Sequence, residues 1–315
     1  MAPAESRPGA RWTTLILITT RVLCHNPQST MPQHDADAWC NAALPRNVAV
    51  ETRAFVHGAS TYEVEVLQRV PVVVAVRGLA SASECAEINR MTQHWLQEPR
   101  ARRGEICGRG DCGCWFDVLL DHGGASPLVA LNNRTAALLR SLSGPEADYS
   151  RAQPPGQLRI QLYNTGADGS PGADAGAWCA PHCDSVCNGE PLAETPGIRA
   201  VSMISCRVAE VGGETSLSYG SVVYQPRTLG DLVLFGLKQS DEIMDAAGRT
   251  EHAGCPVWQG EKWVATIRLS EGGDAQPPPP GNFLRASRAA APQRKRPQSD
   301  ENTSNGMCKC GWMDG

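Results

Sequence analysis

The 315-residue chain lacks both an excess of positive charge and a long apolar run. Its 29 lysines and arginines are outnumbered by 33 aspartates and glutamates, which gives a formal net charge of −4 at pH 7. The broad basic surface that nucleic-acid binding needs is therefore not expected. The apolar run at residues 12–20 is too short to span a bilayer and no other run approaches membrane length, so no stable transmembrane span is predicted.

Hydrophobic residues and cysteines, by contrast, are plentiful. A hydrophobic content of 41% allows one large core or two modest ones and excludes disorder throughout the chain. The 13 cysteines favour an oxidising compartment, and their odd number leaves at least one without an intramolecular partner. Because Arg7 and Arg11 precede the short apolar run, a signal peptide and a location in the endoplasmic reticulum lumen or secretory pathway are predicted. Arg21 interrupts that run, so a cytoplasmic location remains the alternative.

Composition divides the chain into three parts. Residues 1–60 have no clear periodicity and are interpreted as a targeting peptide with a loose lead-in. Residues 61–272 form the predicted domain. Residues 273–315 are a Pro/Arg/Ser-rich tail, which is predicted to be disordered because it has too few apolar residues to form a core. The sequence does not define an oligomeric state.

Local patterns predict an α+β fold. Residues 62–76 indicate a strand, or a strand pair interrupted at Pro71. Ser81 or Ser83 is expected to cap a helix that runs toward Gln97 and lies on a sheet, and a second amphipathic helix follows a loop predicted at residues 99–121. The later β-like runs are typical of a double-stranded β-helix, or jelly-roll barrel, flanked by these N-terminal helices; they lie at residues 158–163, 198–208, 222–224, 231–235 and 262–269.

The segment around His182 and Asp184 carries the first chemical signal. Side chains two residues apart in a strand project to the same face, so this imidazole and carboxylate are expected to lie together. His252, further along the chain, is the candidate third ligand. Two histidines and one carboxylate form the facial triad that leaves coordination positions open on non-haem Fe(II).

A zinc module is the alternative interpretation of the same segment. Cys179, His182, Cys183 and Cys187 have a spacing compatible with a closed tetrahedral zinc site. Such a module would have no catalytic role, and it leaves His252 unexplained.

The run at residues 262–269 carries the second signal. Alternation places Lys262, Val264, Thr266 and Arg268 on one face, and Trp263, Ala265, Ile267 and Leu269 on the opposite face. Taken alone, this pattern indicates a half-buried strand with a solvated polar face. Ten residues after His252, however, Lys262 is also in a position to bind an anionic co-substrate that chelates the iron.

These features together resemble a known family. The matching motifs are Leu-Tyr163-Asn, Pro-His182-Cys-Asp184, Arg199 before a strand, Gly212-Gly213-Glu214-Thr215, Pro226 followed by Gly230-Asp231-Leu232, His252-Ala-Gly-Cys-Pro-Val and Gly260-Glu-Lys262-Trp263, together with the helix containing Ser83-Glu84-Cys85. Taken together, they are similar to the catalytic region of the prolyl 4-hydroxylases, which are 2-oxoglutarate- and Fe(II)-dependent dioxygenases, over about two thirds of the chain.

The resemblance implies a role for each matching residue. His182, Asp184 and His252 would hold Fe(II), and Lys262 would bind the distal carboxylate of 2-oxoglutarate, with Tyr163 and Thr266 helping to hold that co-substrate. O₂ and ascorbate are implied as the remaining cofactors. The implied reaction is hydroxylation of a proline in a peptide or protein, coupled to decarboxylation of 2-oxoglutarate to succinate.

Three departures from the family pattern bear on substrate choice. Arg268 stands where the family usually has tryptophan. A Gly/Ala/Asp-rich segment is inserted between Tyr163 and His182. Ser216 and Leu217 follow Thr215 where an aromatic residue is expected.

Overall fold

The structure of the chain is a computed structural model that describes residues 39–41, 43–97, 114–120, 126–144, 147–164, 179–184, 198–217, 221–237, 250–271 and 283–285. The first elements are β1 (Glu51–His57), β2 (Ser60–Gln68), β3 (Val73–Val76), α1 (Ala82–Leu96), β4 (Cys114–Leu119) and α2 (Pro127–Ser141). They are followed by β5 (Ala152–Gln153), β6 (Gln157–Asn164), β7 (Cys179–His182), β8 (Ile198–Arg207), β9 (Val211–Gly212) and β10 (Thr215–Leu217). The last are β11 (Val222–Tyr224), β12 (Asp231–Gly236), β13 (His252–Gly254), β14 (Val257–Gln259), β15 (Glu261–Glu271) and β16 (Phe283–Arg285).

These strands form three sheets. The large sheet has ten strands in the order β1-β2-β3-β12-β8-β15-β6-β4-β16, with β5 paired to β15. A second sheet has four strands in the order β11-β10-β13-β7, and β14 pairs with β9 in a short ribbon. The fold is therefore mostly β, with two described helices. Hydrogen bonds among the described strands do not close them into one barrel, so the jelly-roll barrel stays a prediction.

Both predicted helices are confirmed. Ser81 caps α1, because its hydroxyl accepts from the backbone N–H of Glu84 while the Glu84 carboxylate accepts from the backbone N–H of Ser81. Ser126 caps α2, and Pro127 follows in the first turn, where its missing N–H costs nothing. Each helix buries one apolar face, as its spacing predicted: Cys85, Ile88, Met91 and Trp95 on α1, and Leu128, Leu131, Leu138 and Leu139 on α2. Neither described helix is both long and apolar enough to cross a membrane.

The core has two parts, one on each face of the large sheet. The helix-side core joins both helices to one face of the sheet and includes Phe116, Ile160 and Trp263. The site-side core lies on the other face, toward the four-stranded sheet, and includes Tyr163 and Val264. Because successive residues of a strand alternate between faces, neighbouring residues such as Trp263 and Val264 belong to different cores.

Part of the loop predicted at residues 99–121 is in fact a strand. The strand β4 occupies Cys114–Leu119 and pairs antiparallel with β6. Phe116 and Val118 point into the helix-side core and are fully buried. The Gly-, Arg- and Cys-rich residues that precede β4 concealed its short alternating pattern, which made the loop prediction wrong there.

Ordered structure also begins before the predicted domain boundary at residue 61. The strand β1 pairs with β2 along its whole length. Upstream of β1, a disulfide joins Cys40 to Cys255, and Arg46 forms an ion pair with Glu214. The described part of the lead-in is thus bound to the domain. Beyond β15, only Phe283–Arg285 is described, as a strand parallel to β4; the predicted targeting peptide and most of the predicted tail lie outside the described residues.

The two-strand interpretation of residues 62–76 is confirmed. Residues of β2 and β3 pair antiparallel, and Pro71 lies in the turn between them. Proline has no backbone N–H to donate to a sheet, which explains why the run is interrupted there.

Candidate metal centre

The two candidate histidine ligands are cross-strand neighbours. Strands β13 and β7 pair antiparallel, with His252 directly opposite His182. Their ring centroids are 4.3 Å apart. Phe235 packs against His252 with a centroid separation of 4.8 Å, so the ring of His252 has an aromatic contact as well as its histidine neighbour. Residues 70 positions apart in the sequence are thereby brought to one point of the four-stranded sheet.

Asp184 completes the cluster from just beyond the end of β7. Ligand atoms of His182, Asp184 and His252 all lie within 4.8 Å of one another. The Asp184 Oδ2 atom is 3.5 Å from His252 Nε2, and the side chains of Asp184 and His252 are 8% and 4% exposed. The sequence pattern assumed that Asp184 lies within the strand. It follows the strand instead, but its carboxylate still lies beside the two imidazoles.

Hydrogen bonding fixes which nitrogen of His252 faces the cluster. The His252 Nδ1 atom is 3.0 Å from the Thr250 carbonyl oxygen, and a carbonyl only accepts, so Nδ1 donates its proton there. Burial, reinforced by His182, lowers the pKa of His252 to about 4, so the ring is neutral at pH 7 and Nε2 carries a lone pair. That lone pair faces a carboxylate oxygen. Such a contact is favourable when a cation lies between the two atoms, and metal-binding histidines commonly donate their other N–H to a carbonyl in this way.

The carboxylate of Asp184 is anionic although it is buried. Burial alone would raise its pKa, but Arg268 and the two histidines outweigh that effect and hold the pKa below its usual range. The Arg268 Nη2 atom donates to Asp184 Oδ1 over 2.9 Å. A site with two imidazole nitrogens and one carboxylate oxygen suits a divalent transition metal.

Lys262 is buried on the site-side face of β15, with 1% of its surface exposed. Its Nζ atom donates to the Glu214 carbonyl oxygen and to Thr215 Oγ1, each over 3.4 Å, and lies 5.0 Å from the centroid of the Tyr163 ring. Burial lowers the pKa of Lys262 to about 8, and this effect is partly opposed by Glu214. Lys262 therefore does not lie on a solvated face. It is a desolvated ammonium group with long, weak hydrogen bonds.

The double glycine before Glu214 lets the chain approach Lys262 closely. Gly212 and Gly213 have φ values of 79° and 74°, in the left-handed region that favours glycine. A Cβ on Gly212 would lie 2.2 Å from the carbonyl oxygen of Pro256, and one on Gly213 would lie 3.4 Å from Lys262 Cδ. This turn places the Glu214 carbonyl where it accepts from both Lys262 and the Cys255 N–H.

Tyr163 and Thr266, the other predicted co-substrate residues, are also buried on this face. Tyr163 is paired directly with Lys262 across β6 and β15. Its burial raises the pKa of its hydroxyl. Thr266 Oγ1 donates to Gln161 Oε1 over 3.0 Å. The structure thus gathers the six predicted residues around the site-side core, and their roles stay predictions.

Sequence reasoning missed two contacts of the triad. It identified Arg268 only as a departure from a family pattern, whereas Arg268 binds Asp184. It also did not anticipate Phe235 beside His252. The alternation of β15 was a signal for the first contact, because it put Arg268 on the same face as Lys262 and Thr266.

The zinc module is not compatible with the cysteine chemistry. Cys179 and Cys183 are both disulfide-bonded. Zinc binding requires thiolates, which disulfide sulfurs do not provide. Cys187 lies outside the described residues.

The fold and the cluster define a class: a mostly β protein with a two-histidine, one-carboxylate site beside a buried lysine. No protein-family model matches the chain. Over 217 residues it is 29% identical to prolyl 4-hydroxylase subunit alpha-3 of Mus musculus, covering 66% of this chain and 35% of the relative. The Rattus norvegicus protein of the same name is 30% identical with the same coverage. The predicted resemblance to the prolyl 4-hydroxylase family is therefore confirmed. The chain spans only 35% of the length of these curated relatives.

Solved prolyl hydroxylases also align with the chain. The viral collagen prolyl hydroxylase vCPH from Paramecium Bursaria Chlorella virus-1, in its 2OG complex, aligns with 64% of this chain and 96% of its own, at 16% identity and a TM-score of 0.45. A Pseudomonas putida prolyl-4-hydroxylase covers 64% of this chain and 88% of its own, at 13% identity and a TM-score of 0.40. TM-scores of this size do not establish a common fold.

Proposed function

We propose that the chain is a 2-oxoglutarate- and Fe(II)-dependent dioxygenase that hydroxylates proline in a peptide or protein. The observation that carries the proposal is the arrangement of His252, whose Nδ1 is tied to the Thr250 carbonyl while its Nε2 faces Asp184 Oδ2 at 3.5 Å. This arrangement suits a bound cation and leaves the two atoms repelling each other without one. His182, Asp184 and His252 would hold the metal.

When bound, Fe(II) would supply O₂ activation coupled to oxidative decarboxylation of 2-oxoglutarate to succinate. The chain's own residues would bind and orient the reactants. Lys262 would offer its buried ammonium to the distal carboxylate of 2-oxoglutarate, because its present 3.4 Å hydrogen bonds are long for a charged donor. Tyr163, beside Lys262, and Thr266 on the same strand would complete that side of the site.

The substrate class rests on the relatives. The mouse and rat proteins are prolyl 4-hydroxylase subunits, and the family motifs of this chain include its candidate metal ligands and Lys262. We infer a procollagen-like substrate, meaning a proline-containing peptide in an extended form, with ascorbate as the reductant that maintains the iron. The Pro277–Pro280 run lies outside the described residues. The sequence of this run predicts a polyproline II segment, which would act either as a stiff spacer or as a mimic of such a substrate.

Fold and compartment are part of the same proposal. We infer that the large sheet and the four-stranded sheet are the two walls of a jelly-roll. Most of its strands lie in the proposed domain of residues 61–272, and β1 and β16 extend the large sheet from outside these bounds. A targeting segment is proposed before the domain and a Pro/Arg/Ser-rich tail after it. The disulfides Cys40–Cys255 and Cys85–Cys206 support the endoplasmic reticulum lumen or secretory pathway, because thiols in the cytosol are kept reduced.

Succinate formation tests the reaction. Purified chain with Fe(II), ascorbate and 2-oxoglutarate is expected to release succinate slowly alone and faster with a proline-rich peptide that gains one oxygen atom by mass spectrometry. A peptide with alanine in place of each proline is the matched control. Equal rates with both peptides would contradict the substrate class, and no succinate in any reaction would contradict the dioxygenase assignment.

Lys262→Ala sharpens the test. Loss of the ammonium is expected to raise the 2-oxoglutarate concentration needed for half-maximal rate, because leaving one charge of a buried pair without its partner costs about 3–5 kcal/mol. Lys262→Arg is expected to restore only part of the affinity, since the planar guanidinium differs in reach. An unchanged requirement in the alanine variant would remove Lys262 from the proposed site.

A further inference from the structure

Among the described residues of the large sheet, Arg268 is the charged residue that contacts the Asp184 carboxylate. It lies on the site-side face of β15, two residues beyond Thr266, and its Nη2 atom donates to Asp184 Oδ1 over 2.9 Å. The Arg268 side chain is 29% exposed and that of Asp184 only 8%. The ion pair therefore lies at the edge of the cluster, with the carboxylate on its buried side.

The contact with Arg268 gives the two carboxylate oxygens of Asp184 different partners. Oδ1 is bound by the guanidinium, whereas Oδ2 faces His252 Nε2 at 3.5 Å. Arg268 Nε is buried and has no hydrogen-bond partner among the residues that the structure describes. The interaction is thus a single charged hydrogen bond and not the two-pronged pair that arginine commonly forms with a carboxylate. The carboxylate thus turns Oδ2 toward His252, while Oδ1 is held by the guanidinium.

The positive charge of Arg268 also affects how strongly a metal ion binds. A divalent ion held by two neutral imidazoles and one carboxylate would leave the cluster with one net positive charge, and Arg268 raises this to two. The metal and the guanidinium would share one carboxylate and repel each other across it. An anionic ligand on the metal would relieve that repulsion, and Lys262 lies on the same face of β15 as Arg268.

We propose that Arg268 is a positioning residue that holds Asp184 by Oδ1 and increases the mutual dependence between binding of the metal and binding of a dianionic 2-oxo acid. The ion binds weakly by itself and more tightly with the acid present. Thermodynamic linkage requires the acid to gain by the same factor. This inference rests on the proposed function for the identity of the acid.

Metal titration tests the proposal without turnover. Mn(II) binding to metal-free protein is measured by electron paramagnetic resonance under nitrogen, with and without 2-oxoglutarate. Glutamine keeps an N–H donor for Asp184 Oδ1 but carries no charge. Arg268→Gln is therefore expected to strengthen Mn(II) binding without the acid about tenfold, because it removes one like charge close to the ion. In the same variant 2-oxoglutarate is expected to strengthen Mn(II) binding by a smaller factor, because the part of the gain that comes from relieving this repulsion is lost. Arg268→Lys keeps the charge and is expected to keep that gain.

Arg207→Gln is the matched control. Arg207 pairs with Glu261 over 2.6 Å and its side chain is 49% exposed, so its loss changes the net charge equally without touching Asp184. It is expected to behave like the unsubstituted protein. Thermal unfolding of each variant, with Mn(II) bound, checks that the fold is retained.

The outcomes separate this inference from the proposed function. Unsubstituted protein that binds no Mn(II) would overturn both. Mn(II) binding that 2-oxoglutarate does not strengthen would contradict the acid as co-substrate together with the role of Arg268. An Arg268→Gln variant with unchanged or weaker Mn(II) binding, or with an unchanged gain from 2-oxoglutarate, would overturn the role of Arg268 alone. The triad assignment would then still stand.

Discussion

The two faces of the ten-stranded sheet are built from the same strands but differ in what they bury. The helix-side core is mainly apolar and holds large side chains such as Phe116 and Trp263 against α1 and α2. The uncharged buried polar side chains of the two helices donate to backbone carbonyl oxygens: Thr92, Asn132 and Thr135. The site-side face places Lys262 and Thr266 among apolar residues and lies beside His252, all with 5% exposure or less. Burying such polar groups is costly unless something compensates their lost hydration.

We therefore expect the helix-side core to determine stability and the site-side face to determine ligand binding. Removing apolar volume from the helix-side core is expected to lower the free energy of unfolding, whereas changing polar groups on the other side is expected to alter ligand binding first. The following predictions test that division, beginning with the largest expected effect.

Replacing a triad ligand, by His252→Ala or Asp184→Ala, is expected to lower succinate formation by more than about 100-fold, beyond the 10- to 100-fold effects of altering the partners that orient metal ligands. Little core volume is lost, so far-UV circular dichroism should be unchanged. His94→Ala, an exposed histidine on α1, is the control and should retain full activity. Normal turnover in either triad variant would refute the metal assignment.

The opposite result is expected in the helix-side core. Phe116 is fully buried and stacks with Trp95 at a centroid distance of 4.8 Å. Phe116→Ala is expected to lower the free energy of unfolding by about 3–5 kcal/mol. Mn(II) affinity of the protein that remains folded should not change. Trp115→Ala, at the next position on the other face, is the control and should cost less, since Trp115 is only partly buried. Equal losses would argue against two distinct faces.

Lys262 makes the stability of the metal-free protein depend on pH. Burial lowers its pKa from 10.5 to about 8, so between these values the folded protein releases a proton that the unfolded chain retains. The unfolded state then binds more protons, and stability rises with pH. From pH 8 to 10 the free energy of unfolding is expected to increase by about 1–3 kcal/mol, measured by urea titration. Lys262→Met has no ammonium to titrate, so this increase should be absent from the variant and should appear in the difference between the two proteins.

The smallest effect is expected on the solvent side of α1. Arg90 pairs with Glu87 over 2.6 Å, but its side chain is 61% exposed. Arg90→Ala is expected to change the free energy of unfolding by less than about 0.5 kcal/mol and to leave Mn(II) affinity unchanged. A loss comparable to that of Phe116→Ala would show that the helix surface contributes more than its exposure implies.

Local spacing predicted much of this organisation. The alternation of residues 262–269 predicted which side chains share a face, and the apolar spacing of both helices predicted their buried faces. The strand β4 was missed because a Gly- and Cys-rich segment precedes it. The Arg268–Asp184 contact joins residues 84 positions apart, and its formation depends on how the two sheets lie against each other, which one strand's pattern does not specify.

The strand β15 contributes side chains to both cores, and this limits the sequence changes that the strand can accept. Inserting or deleting one residue near Lys262 would shift the register of the following side chains by one and exchange their faces. Trp263 would then point toward the metal ligands, and Thr266 or Arg268 would be forced against the helices. Substitution at every second position can alter the chemistry while keeping the core, but a change in the length of this strand would damage both at once.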